Sequence, residues 1–394
     1  MNSRTRLFPA IAAVLLAAGL ALSPAASAAS GAPITVMTWN TYFGFDEGPL
    51  FAAAASGDPE LIAAAVSDVW AQVHATDFRV RAAAIAKKVK AARPDLFAVQ
   101  EAVQYVRLDG TTFEPMEVID HLAILVEALA AEGMFYEVKS VVEDTNVMLP
   151  DAEGNVVMLL DRSAILVRGE LSPGKPRLSV SNAKSGTFAL LAELCIVPAA
   201  DGSCEVPLLI KRGWASVDVE DTGSRFRFVV VHLEDVPAPV ANEEPSPLEQ
   251  LQLAQAAELT LGEKGPFATD LRVILAGDFN TDAATLWPTY RFLTASAPAG
   301  PGLRDAWLAL HPREAGLTWG PNPDLLAPFP AFTQRIDFVF LRGDGFDLVG
   351  ANVVGNTRGD VASAGLWPSD HAGLVVKVTV DRPVRSVERF DLLP

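Results

Sequence analysis

The sequence predicts an α/β fold, with one domain built on mixed β-sheets. Segments with helical apolar spacing alternate along the chain with short apolar runs that are typical of strands. Asp221-Thr222-Gly223 separates two such runs, which predicts a β-hairpin and therefore antiparallel pairing. Neither an internal repeat nor a low-complexity linker divides the 394 residues after the N-terminal segment. We therefore interpret the chain as one large domain rather than two.

The strands follow from short runs of aliphatic and β-branched residues. They are predicted, in chain order, at Ile34–Trp39, Leu96–Gln100, Tyr136–Val142, Val156–Leu160, Ala164–Arg168, Ala215–Val219, Phe226–His232, Leu271–Ala276, Ile336–Leu341 and Gly373–Val380. Residues 233–247 and 311–334 have no periodicity and are rich in proline, so we expect surface loops there.

The helices follow from apolar positions that recur at helical spacing. They are predicted at Pro59–Trp70, Phe78–Ala92, Val118–Ala131 and Leu248–Leu261. The first is rich in alanine, and Arg93-Pro94 ends the second. In the third, leucines and a valine from Leu122 to Leu129 share one face. The fourth carries Gln and Glu on its outer face.

The first 28 residues have the pattern of a secretory signal peptide. Arg4 and Arg6 precede the apolar run Ile11–Leu22, and Ala26-Ser27-Ala28 offers a cleavage site. The apolar run is too short for a stable membrane span, and no later segment is long and apolar enough to be one. An uncleaved anchor is the alternative. We expect cleavage near Ala28, a secreted (extracellular or periplasmic) protein, and a folded domain over residues 29–394.

The charge balance is strongly acidic. Removal of the signal segment takes away two of the 31 basic residues and none of the 48 acidic ones, so the formal net charge of −17 becomes −19. Such a surface repels polyanions unless cations intervene. This argues against a protein that grips nucleic acid by a basic face, but it does not exclude an enzyme that reaches phosphates through a metal ion.

The two cysteines are expected to form a disulfide. Cys195 and Cys204 flank a segment in which Pro198, Asp201 and Gly202 favour a turn, so a hairpin would bring the thiols together. An exported chain also meets oxidising conditions. Two free thiols are the alternative, and two cysteines at this spacing are weak evidence for a metal site.

Polar side chains stand at the ends of six predicted strands. In Leu275-Ala-Gly-Asp-Phe-Asn-Thr-Asp282, a buried strand ends by placing Asp278 and Asn280 on the same side. A turn would explain one such case, because Gly, Asp and Asn are common turn residues. The other five cases are Asn40, Gln100-Glu101, His232, Asp337 and Asp370-His371. Ligands in layered α/β folds gather at strand ends, so we expect these side chains to converge on one pocket.

The residue types in this set suit phosphate chemistry. Asp, Glu and Asn oxygens without cysteine favour a hard cation such as Mg²⁺ or Mn²⁺. Two histidines, one of them beside a carboxylate, suit acid–base work on a phosphate. A metal that polarises the phosphoryl oxygen, with a base that activates water, is a hydrolytic phosphodiesterase site.

The order of these motifs resembles that of the endonuclease/exonuclease/phosphatase superfamily. The motifs are Trp39-Asn40, Gln100-Glu101, Gly277-Asp278-Phe279-Asn280, Asp337 and Ser369-Asp370-His371, and the resemblance runs from about Ile34 to Val380. The superfamily includes deoxyribonuclease I, exonuclease III-type nucleases, inositol polyphosphate 5-phosphatases and neutral sphingomyelinases. The resemblance implies a four-layer α/β/β/α sandwich of two packed mixed sheets, with the site at the top of the sheets.

The resemblance also implies a metal site. Glu101 matches the principal Mg²⁺ ligand of the family, and Asn40 matches the residue beside it that ligates or orients. Asp370 matches a second carboxylate on the metal side.

Five further residues match the catalytic positions of the family. Asp278 and Asn280 match the pair that positions water and the scissile phosphate. His371 matches the histidine that stabilises charge on the phosphate, and Asp337 matches the carboxylate that holds it. His232 resembles the second histidine of deoxyribonuclease I and the sphingomyelinases, which implies a general acid for the leaving oxygen.

We therefore expect a secreted, Mg²⁺-dependent phosphoric-ester hydrolase, a phosphodiesterase in which metal-activated water attacks phosphorus. Its substrate is a nucleic acid, a phospholipid head group or a small phosphodiester, and the protein is expected to be a monomer. A sphingomyelinase-like or other lipid or small-molecule phosphoesterase is the first alternative to a nuclease. A non-catalytic binding protein on the same scaffold is the second.

Several features lie outside the family pattern. An extra helix near Pro59–Val73 is expected to serve packing. Lys211-Arg212-Gly213-Trp214 either places a cation or indole near the substrate or buries its tryptophan. The apolar loop Thr318–Phe332 either packs against the sandwich or caps the pocket and touches lipid. His74, His121 and His311 are expected to be ordinary surface or core histidines.

Overall fold

The computed structural model describes residues 32–169, 178–198, 203–236, 238, 244–283, 287–329 and 331–381. The predicted signal segment, with its cleavage site near Ala28, lies outside these residues. Within them, every helix is too short or too polar to cross a bilayer.

The strands and helices alternate along the described chain. The strands are β1 (Ile34–Asn40), β2 (Leu96–Gln100), β3 (Gln104–Leu108), β4 (Pro115–Asp120), β5 (Tyr136–Pro150), β6 (Val156–Arg168), β7 (Leu178–Thr187), β8 (Ala192–Pro198), β9 (Cys204–Ile210), β10 (Gly213–Asp221), β11 (Ser224–His232), β12 (Arg272–Asp278), β13 (Arg304–Asp305), β14 (Asp337–Arg342), β15 (Phe346–Val354) and β16 (Gly373–Val380). The helices are α1 (Glu47–Ser56), α2 (Pro59–Ala75), α3 (Phe78–Ala92), α4 (His121–Ala131), α5 (Pro247–Leu261), α6 (Pro288–Thr294) and α7 (Ala306–Leu310), with a 3₁₀-helix at Arg358–Asp360.

The strands form two large sheets and one separate hairpin. The first sheet has eight strands, in the order β15-β16-β1-β2-β6-β3-β4, with β5 also paired to β6. The second has six strands, in the order β13-β14-β12-β11-β10-β7, and β8-β9 stands apart. β1 and β2 run parallel, as do β11 and β12, whereas the other pairs are antiparallel. Both large sheets are therefore mixed, which confirms the predicted fold class.

The two sheets pack face to face, with helices outside each one. The central core joins residues such as Val36 and Ala98 of the first sheet to Phe228 and Ile274 of the second. α3 and α4 cover the outer face of the first sheet. α5 and α6 cover the outer face of the second. The layers are helix, sheet, sheet and helix, as the resemblance implied.

Local signals account for where the helices begin and end. The Asp58 side chain accepts hydrogen bonds at the start of α2, and Pro59 occupies its first turn. Ser246 and Glu249 form a reciprocal capping box at the start of α5. At the β10–β11 turn, Thr222 and Gly223 both have positive φ, of 47° and 95°. This is the two-residue hairpin that the Asp-Thr-Gly signal predicted.

Several boundaries differ from the prediction: β5 extends to Pro150 and α2 to Ala75, and two further differences have a clear physical reason. The segment from Val156 to Arg168 is one continuous strand, because Arg162 and Ser163 in its polar centre also pair with β5, and only the register shifts beside Asp161. The helix predicted from Val118 begins at His121. Residues 115–120 pair with β3 instead, so tertiary pairing outweighs the helical spacing there.

The predicted disulfide is confirmed. Cys195 and Cys204 are bonded, with their Cα atoms 5.6 Å apart, across the β8–β9 hairpin. The extra helix near Pro59–Val73 is also present as α2. Its buried face packs against β3 and the β8–β9 hairpin in a cluster that includes Val66, Val69 and Ile196.

Candidate active site

The strand ends of both sheets meet at one place. In the second sheet, His232 pairs with Asp278, and Asp278 pairs with Asp337, so the three side chains share one row and one face. In the first sheet, Asn40 pairs with Gln100, directly before Glu101. These residues are all buried.

Asn40 joins the two sheets. Its Nδ2 donates to Glu101 Oε1 at 2.8 Å and to Asp278 Oδ2 at 2.9 Å. Its Oδ1 accepts from the backbone N–H of Tyr42 at 2.9 Å, which fixes the orientation of the amide. Of the two roles that the resemblance allows for Asn40, this arrangement favours orienting the carboxylates.

Glu101 is held in a constrained position after β2. Its φ is 53°, a left-handed conformation that side chains other than glycine seldom adopt. Its Oε2 accepts from the backbone N–H of Phe43 at 2.7 Å. Burial, followed by the charges of Asp370 and Asp161, raises the pKa of Glu101 well above its usual value. Two donors and a strained backbone thus fix a carboxylate that is costly to ionise.

His371 is surrounded by carboxylates. Its Nδ1 lies 2.9 Å from Asp337 Oδ2, and its Nε2 lies 3.7 Å from Asp278 Oδ2. Burial alone would lower the pKa of His371, but Asp337, Asp370 and Asp278 outweigh burial and raise it well above the usual value. The structure therefore favours an imidazolium at this position.

His232 has the opposite environment. Arg212 NH1 lies 3.1 Å from its Nδ1, and its Nε2 lies 3.7 Å from Asp278 Oδ2 and 3.2 Å from Asn280 Nδ2. Burial, then the charges of Arg212 and His371, lower the pKa of His232 well below its usual value. A guanidinium can only donate, so Arg212 disfavours a proton on the ring nitrogen that it faces, in agreement with a neutral ring.

The Gly-Asp-Phe-Asn motif depends on its glycine. A Cβ at Gly277 would lie 2.0 Å from the carbonyl oxygen of Val231, so only glycine permits β12 to approach β11 this closely. Three residues after Gly277, Asn280 has a φ of 48°, and its backbone N–H donates to Asp278 Oδ1 at 2.9 Å. The motif ends strand β12 and forms an Asx turn, and this turn orients the side chains of Asp278 and Asn280.

The last and first segments of the chain lock together beside the site. Ser369 Oγ donates to the carbonyl of Asn40 at 2.8 Å, and Trp39 Nε1 donates to the carbonyl of His371 at 3.0 Å. Arg81 of α3, which is fully buried, donates to the carbonyls of Thr41, Tyr42, Thr76 and Pro368 at 2.6–3.3 Å. One guanidinium thus holds the segments that follow β1 and precede β16.

The residues of the site fit a hard divalent cation. Asp278, Asp337 and His371 each offer one ligand atom within 4.8 Å of the others. Asp337 Oδ1 is buried without a hydrogen-bond partner among the described residues. Burial raises the pKa of Asp370, and burial and Asp337 raise that of Asp278 to about 7. Crowded buried carboxylates of this kind are relieved by a bound cation.

A second acidic cluster already has a cation of its own. Asp144, Asp161 and His232 also offer ligand atoms within 4.8 Å. Arg212 lies 3.8 Å from Asp161 and 3.1 Å from His232, so its guanidinium supplies positive charge to this group. We assign no metal to it.

Three residues beside the site were not assigned to it from the sequence. Arg212 belongs to the segment Lys211–Trp214, for which there were two alternatives: a cation or indole near the substrate, or a buried tryptophan. Arg212 lies beside His232, and Trp214 is buried. Asp161 was missed because the polar residues 161–163 were interpreted as a break between two predicted strands, Val156–Leu160 and Ala164–Arg168. Trp319 pairs with His371 and donates to Asp370 Oδ2 at 3.2 Å. It belongs to the loop Thr318–Phe332, for which capping the pocket was one alternative, but the residue itself was not assigned to the site.

The apolar loop and the other three histidines can be compared with their predicted environments. In the loop Thr318–Phe332, Leu325 is buried against Trp367, as packing predicted, whereas Leu326 and Phe329 are exposed. The other three histidines lie outside the site. His121 is buried and stacked on Phe78 at 3.8 Å, and His74 and His311 lie near the carboxylates of Glu117 and Glu314.

Several solved structures are similar to this chain. An endonuclease/exonuclease/phosphatase family protein from Leptotrichia buccalis is 15% identical, with 88% of this chain and 99% of that chain covered and a TM-score of 0.48. One from Bacteroides thetaiotaomicron is 19% identical, with 89% and 98% covered and a TM-score of 0.47. Danio rerio TDP2, complexed with a single-strand DNA product, is 15% identical, with 88% and 99% covered and a TM-score of 0.45.

No curated protein matches the sequence significantly. Residues 37–371 match the Endonuclease/Exonuclease/phosphatase family, and this span runs from β1 to the last of the site residues. The members of that family are typically metal-dependent phosphoesterases and nucleases. The chain therefore belongs to the endonuclease/exonuclease/phosphatase family.

Proposed function

We propose that the protein is a divalent-metal-dependent phosphodiesterase that acts outside the cell or in the periplasm. One observation carries the proposal. The Asp278 carboxylate lies 3.7 Å from Nε2 of both His232 and His371, and the two rings have opposite pKa shifts. Titratable groups whose environments drive their pKa values apart are the arrangement that acid–base and electrostatic catalysis requires.

His371 stabilises charge on the phosphate. Asp337 fixes the ring through Nδ1 and leaves Nε2 to face the substrate. A charged donor that is already oriented stabilises the transition state without reorganisation, which is how preorganised groups accelerate such reactions.

Asp278 receives a proton from the attacking water. Asn40 and the backbone of Asn280 hold its two oxygens, so its position is fixed from both sides. Burial, followed by Asp337, raises the pKa of Asp278 to about 7, and a base with a pKa near the working pH is effective. Asn280 orients the water and the phosphate beside it.

His232 gives a proton to the leaving oxygen. In the free protein the ring is neutral, because burial, Arg212 and His371 lower its pKa. A phosphate bound between the two histidines brings negative charge that offsets these cations and favours protonation of the ring. Arg212 keeps His232 oriented through Nδ1.

Glu101 and Asp370 would hold the cation, with Asn40 orienting the Glu101 carboxylate, and Mg²⁺ or Mn²⁺ suits carboxylate oxygen atoms. When bound, such a cation polarises the phosphoryl oxygen and neutralises developing charge. The candidate signal peptide and the Cys195–Cys204 disulfide support export.

The charge of the chain bears on the substrate. A formal net charge of −17 repels a long polyanion, so a lipid-like or small phosphodiester is favoured over tight binding of nucleic acid. A non-catalytic binding protein on this scaffold would turn over none of these compounds.

The test uses the purified protein and bis(4-nitrophenyl) phosphate, with Mg²⁺ or Mn²⁺ and with excess EDTA. We expect hydrolysis only with the cation. Glu101→Gln should raise the cation concentration needed for half-maximal rate, while the thermal transition stays cooperative. Full turnover in EDTA would contradict the metal assignment, and no turnover of this ester, DNA, RNA or sphingomyelin with any cation would contradict the enzyme.

A further inference from the structure

A cavity of about 470 Å³ adjoins the candidate active site. This volume lies within the roughly 300–1,000 Å³ that small-molecule sites occupy. Three parts of the chain enclose it: the α1–α2 segment, strands β3, β5 and β6 of the first sheet, and the disulfide-bonded β8–β9 hairpin. Most of its wall is aliphatic or aromatic, with Ala54 and Val66 from the helices and Leu194 and Ile196 from the hairpin.

Two contacts connect the cavity to the catalytic residues. Phe43 lines the cavity, and its backbone N–H donates to Glu101 Oε2 at 2.7 Å. Arg212 also lines the cavity, and its NH1 lies 3.1 Å from His232 Nδ1. Phe43 and Arg212 therefore belong both to the wall of the cavity and to the groups that hold Glu101 and His232 in place. A group bound in the cavity would continue from the side of the phosphate that faces His232.

The charges of the lining limit what it can bind. Apart from Arg212, the charged lining residues are all acidic: Glu47, Glu193, Glu234 and Asp235. Arg212 is itself engaged, because its guanidinium lies 3.8 Å from the carboxylates of both Glu234 and Asp161. A second anionic group, such as the next phosphate of a nucleic acid strand, would be repelled here. The acidic residues therefore exclude an anionic occupant, and the mostly aliphatic and aromatic wall favours an apolar group over a cation.

We propose that the cavity binds a single aliphatic chain carried by the leaving alcohol of the substrate. This inference rests on the phosphodiesterase function proposed above. In the reaction the oxygen of water joins phosphorus, and the bond from phosphorus to the chain-bearing oxygen breaks. One proton of the water passes to Asp278, and the proton of His232 passes to the departing oxygen. The products are a phosphomonoester and a long-chain alcohol.

The volume of the cavity limits the length of the aliphatic chain that it can bind, and its open side shows where that chain meets solvent. A methylene group fills about the volume of a water molecule in the liquid, roughly 30 Å³, so the cavity accepts on the order of ten carbons. Phe51 and Leu248 line it and are more than a third exposed, so they mark the side where it meets solvent. An empty apolar cavity is destabilising, because its lining lacks contacts. A bound chain restores them.

The first experiment measures kcat/KM for methyl n-alkyl phosphates with methyl, butyl, octyl and dodecyl chains, each below its aggregation concentration. The released methyl phosphate is followed by ³¹P NMR. Each buried methylene is worth up to about fourfold, so we expect a rise of at least about 100-fold from methyl to dodecyl. The rise should flatten near the capacity of the cavity, which simple hydrophobic adsorption would not produce.

Matched variants test whether the dependence of kcat/KM on chain length arises in the cavity. Ala54 is buried in the wall, whereas its neighbour Ala55 on α1 is exposed and outside the lining. Ala54→Phe fills the cavity and should reduce the dodecyl-to-methyl ratio of kcat/KM at least tenfold. Ala55→Phe should keep the wild-type ratio. Leu194→Trp repeats the test from the hairpin, in case Ala54→Phe fails to fold.

Failure of the cavity and failure of the enzyme have different signatures. Equal kcat/KM for all chain lengths, with normal hydrolysis of bis(4-nitrophenyl) phosphate, would overturn the cavity assignment and leave the function standing. If no ester is hydrolysed, calorimetric binding of dodecyl phosphate still decides the assignment. Binding at least tenfold tighter than that of butyl phosphate, and weakened by Ala54→Phe, would support it. Equal affinities would overturn it.

Discussion

His232 and His371 lie on either side of one carboxylate, yet their surroundings give them different charges. Asp337 holds an imidazolium at His371, whereas Arg212 holds a neutral ring at His232. The charges around the two rings therefore shift their pKa values in opposite directions, as the different roles proposed for them require. The difference should be visible in which substrates each one is needed for.

We predict that the two histidines fail in different ways when removed. Charge develops on the phosphate whatever the leaving group, so His371→Ala should slow every substrate, by about 10²–10³-fold. An alkoxide needs a proton to leave and a nitrophenolate hardly does. His232→Ala should therefore slow a dialkyl phosphate by roughly 10²–10⁴-fold and spare bis(4-nitrophenyl) phosphate.

The measurement is kcat/KM of both variants on both esters at saturating cation. Equal losses for His232→Ala on the two esters would remove the general-acid role and leave a phosphate contact. His311→Ala is the matched control, because that histidine pairs with Glu314 outside the site, and it should keep wild-type rates.

For single residues, the sequence was informative where the residue belongs to a short local motif. Asp278, Asn280 and His371 could be predicted because each stands in a short motif at a strand end. Arg212, Asp161 and Trp319 could not be assigned, because their place beside the site depends on packing between distant segments. Asp161, for example, reaches Glu101 and Arg212 only because β6 lies next to β2.

Among the elements, the β10–β11 hairpin shows how a strand pair away from the site is stabilised. Asp218 and Arg227 face each other across the two strands, and Arg227 Nε donates to Asp218 Oδ1 at 2.7 Å. Asn182 Nδ2 donates to the same carboxylate at 2.8 Å. Burial alone would raise the pKa of Asp218, but the hydrogen bonds from Arg227 and Asn182 outweigh it and lower the pKa.

We predict that Asp218→Asn lowers the free energy of unfolding at pH 7 by on the order of 3 kcal/mol, because Arg227 keeps its buried charge without an anionic partner. An aspartate whose folded pKa is depressed stabilises above its unfolded value of about 3.9, and this stabilisation is lost as the pH falls through the folded pKa. The difference between wild type and variant should therefore shrink below about pH 4.

Urea denaturation at pH 7 and pH 3 measures this difference. Asp347→Asn on β15, where the side chain is exposed, should change the stability by less than about 0.5 kcal/mol at both values. A deficit of Asp218→Asn that is equal at both pH values would show that the ionised carboxylate is not its source.

The elements themselves were predicted unevenly, for physical reasons. α3, with its apolar spacing and the proline after it, was predicted with its observed bounds. The start of α4 was not, because residues 115–120 form a strand only when β3 is available as a partner. Apolar periodicity shows which face of a segment is buried, but not which neighbour buries it.

At the level of the whole molecule, one buried guanidinium joins segments that are distant in the sequence. Arg81 makes four hydrogen bonds to backbone carbonyls from three segments and is fully buried. Burial lowers its pKa to about 10, so it remains charged at neutral pH. The layered sandwich could be expected from the family resemblance, but neither this central contact nor the cavity beside α1 has any local sequence signal.

We predict that Arg81→Met lowers stability and activity together. Four buried carbonyls lose their donor, and the free energy of unfolding should fall by on the order of 3–5 kcal/mol. Chemical denaturation and kcat/KM on bis(4-nitrophenyl) phosphate measure the two effects. Arg79→Met is the control on the same helix, since Arg79 is exposed and near Glu127, and should cost less than about 1 kcal/mol. Full activity of Arg81→Met would contradict a role in assembling the site.

The lock between Asn40 and the segment Ser369–His371 has a consequence for the order of events during synthesis. Asn40 leaves the ribosome early, and its partner segment is separated from it by 329 residues at the Ser369 contact. β1 also lies between β2 and β16, so its pairing is complete only when the last strand arrives. A nascent chain that has not yet reached Ser369 therefore lacks these contacts. The candidate site is assembled only after residues 369–380 have been synthesised, so a truncated product that ends before Ser369 should lack the proposed activity.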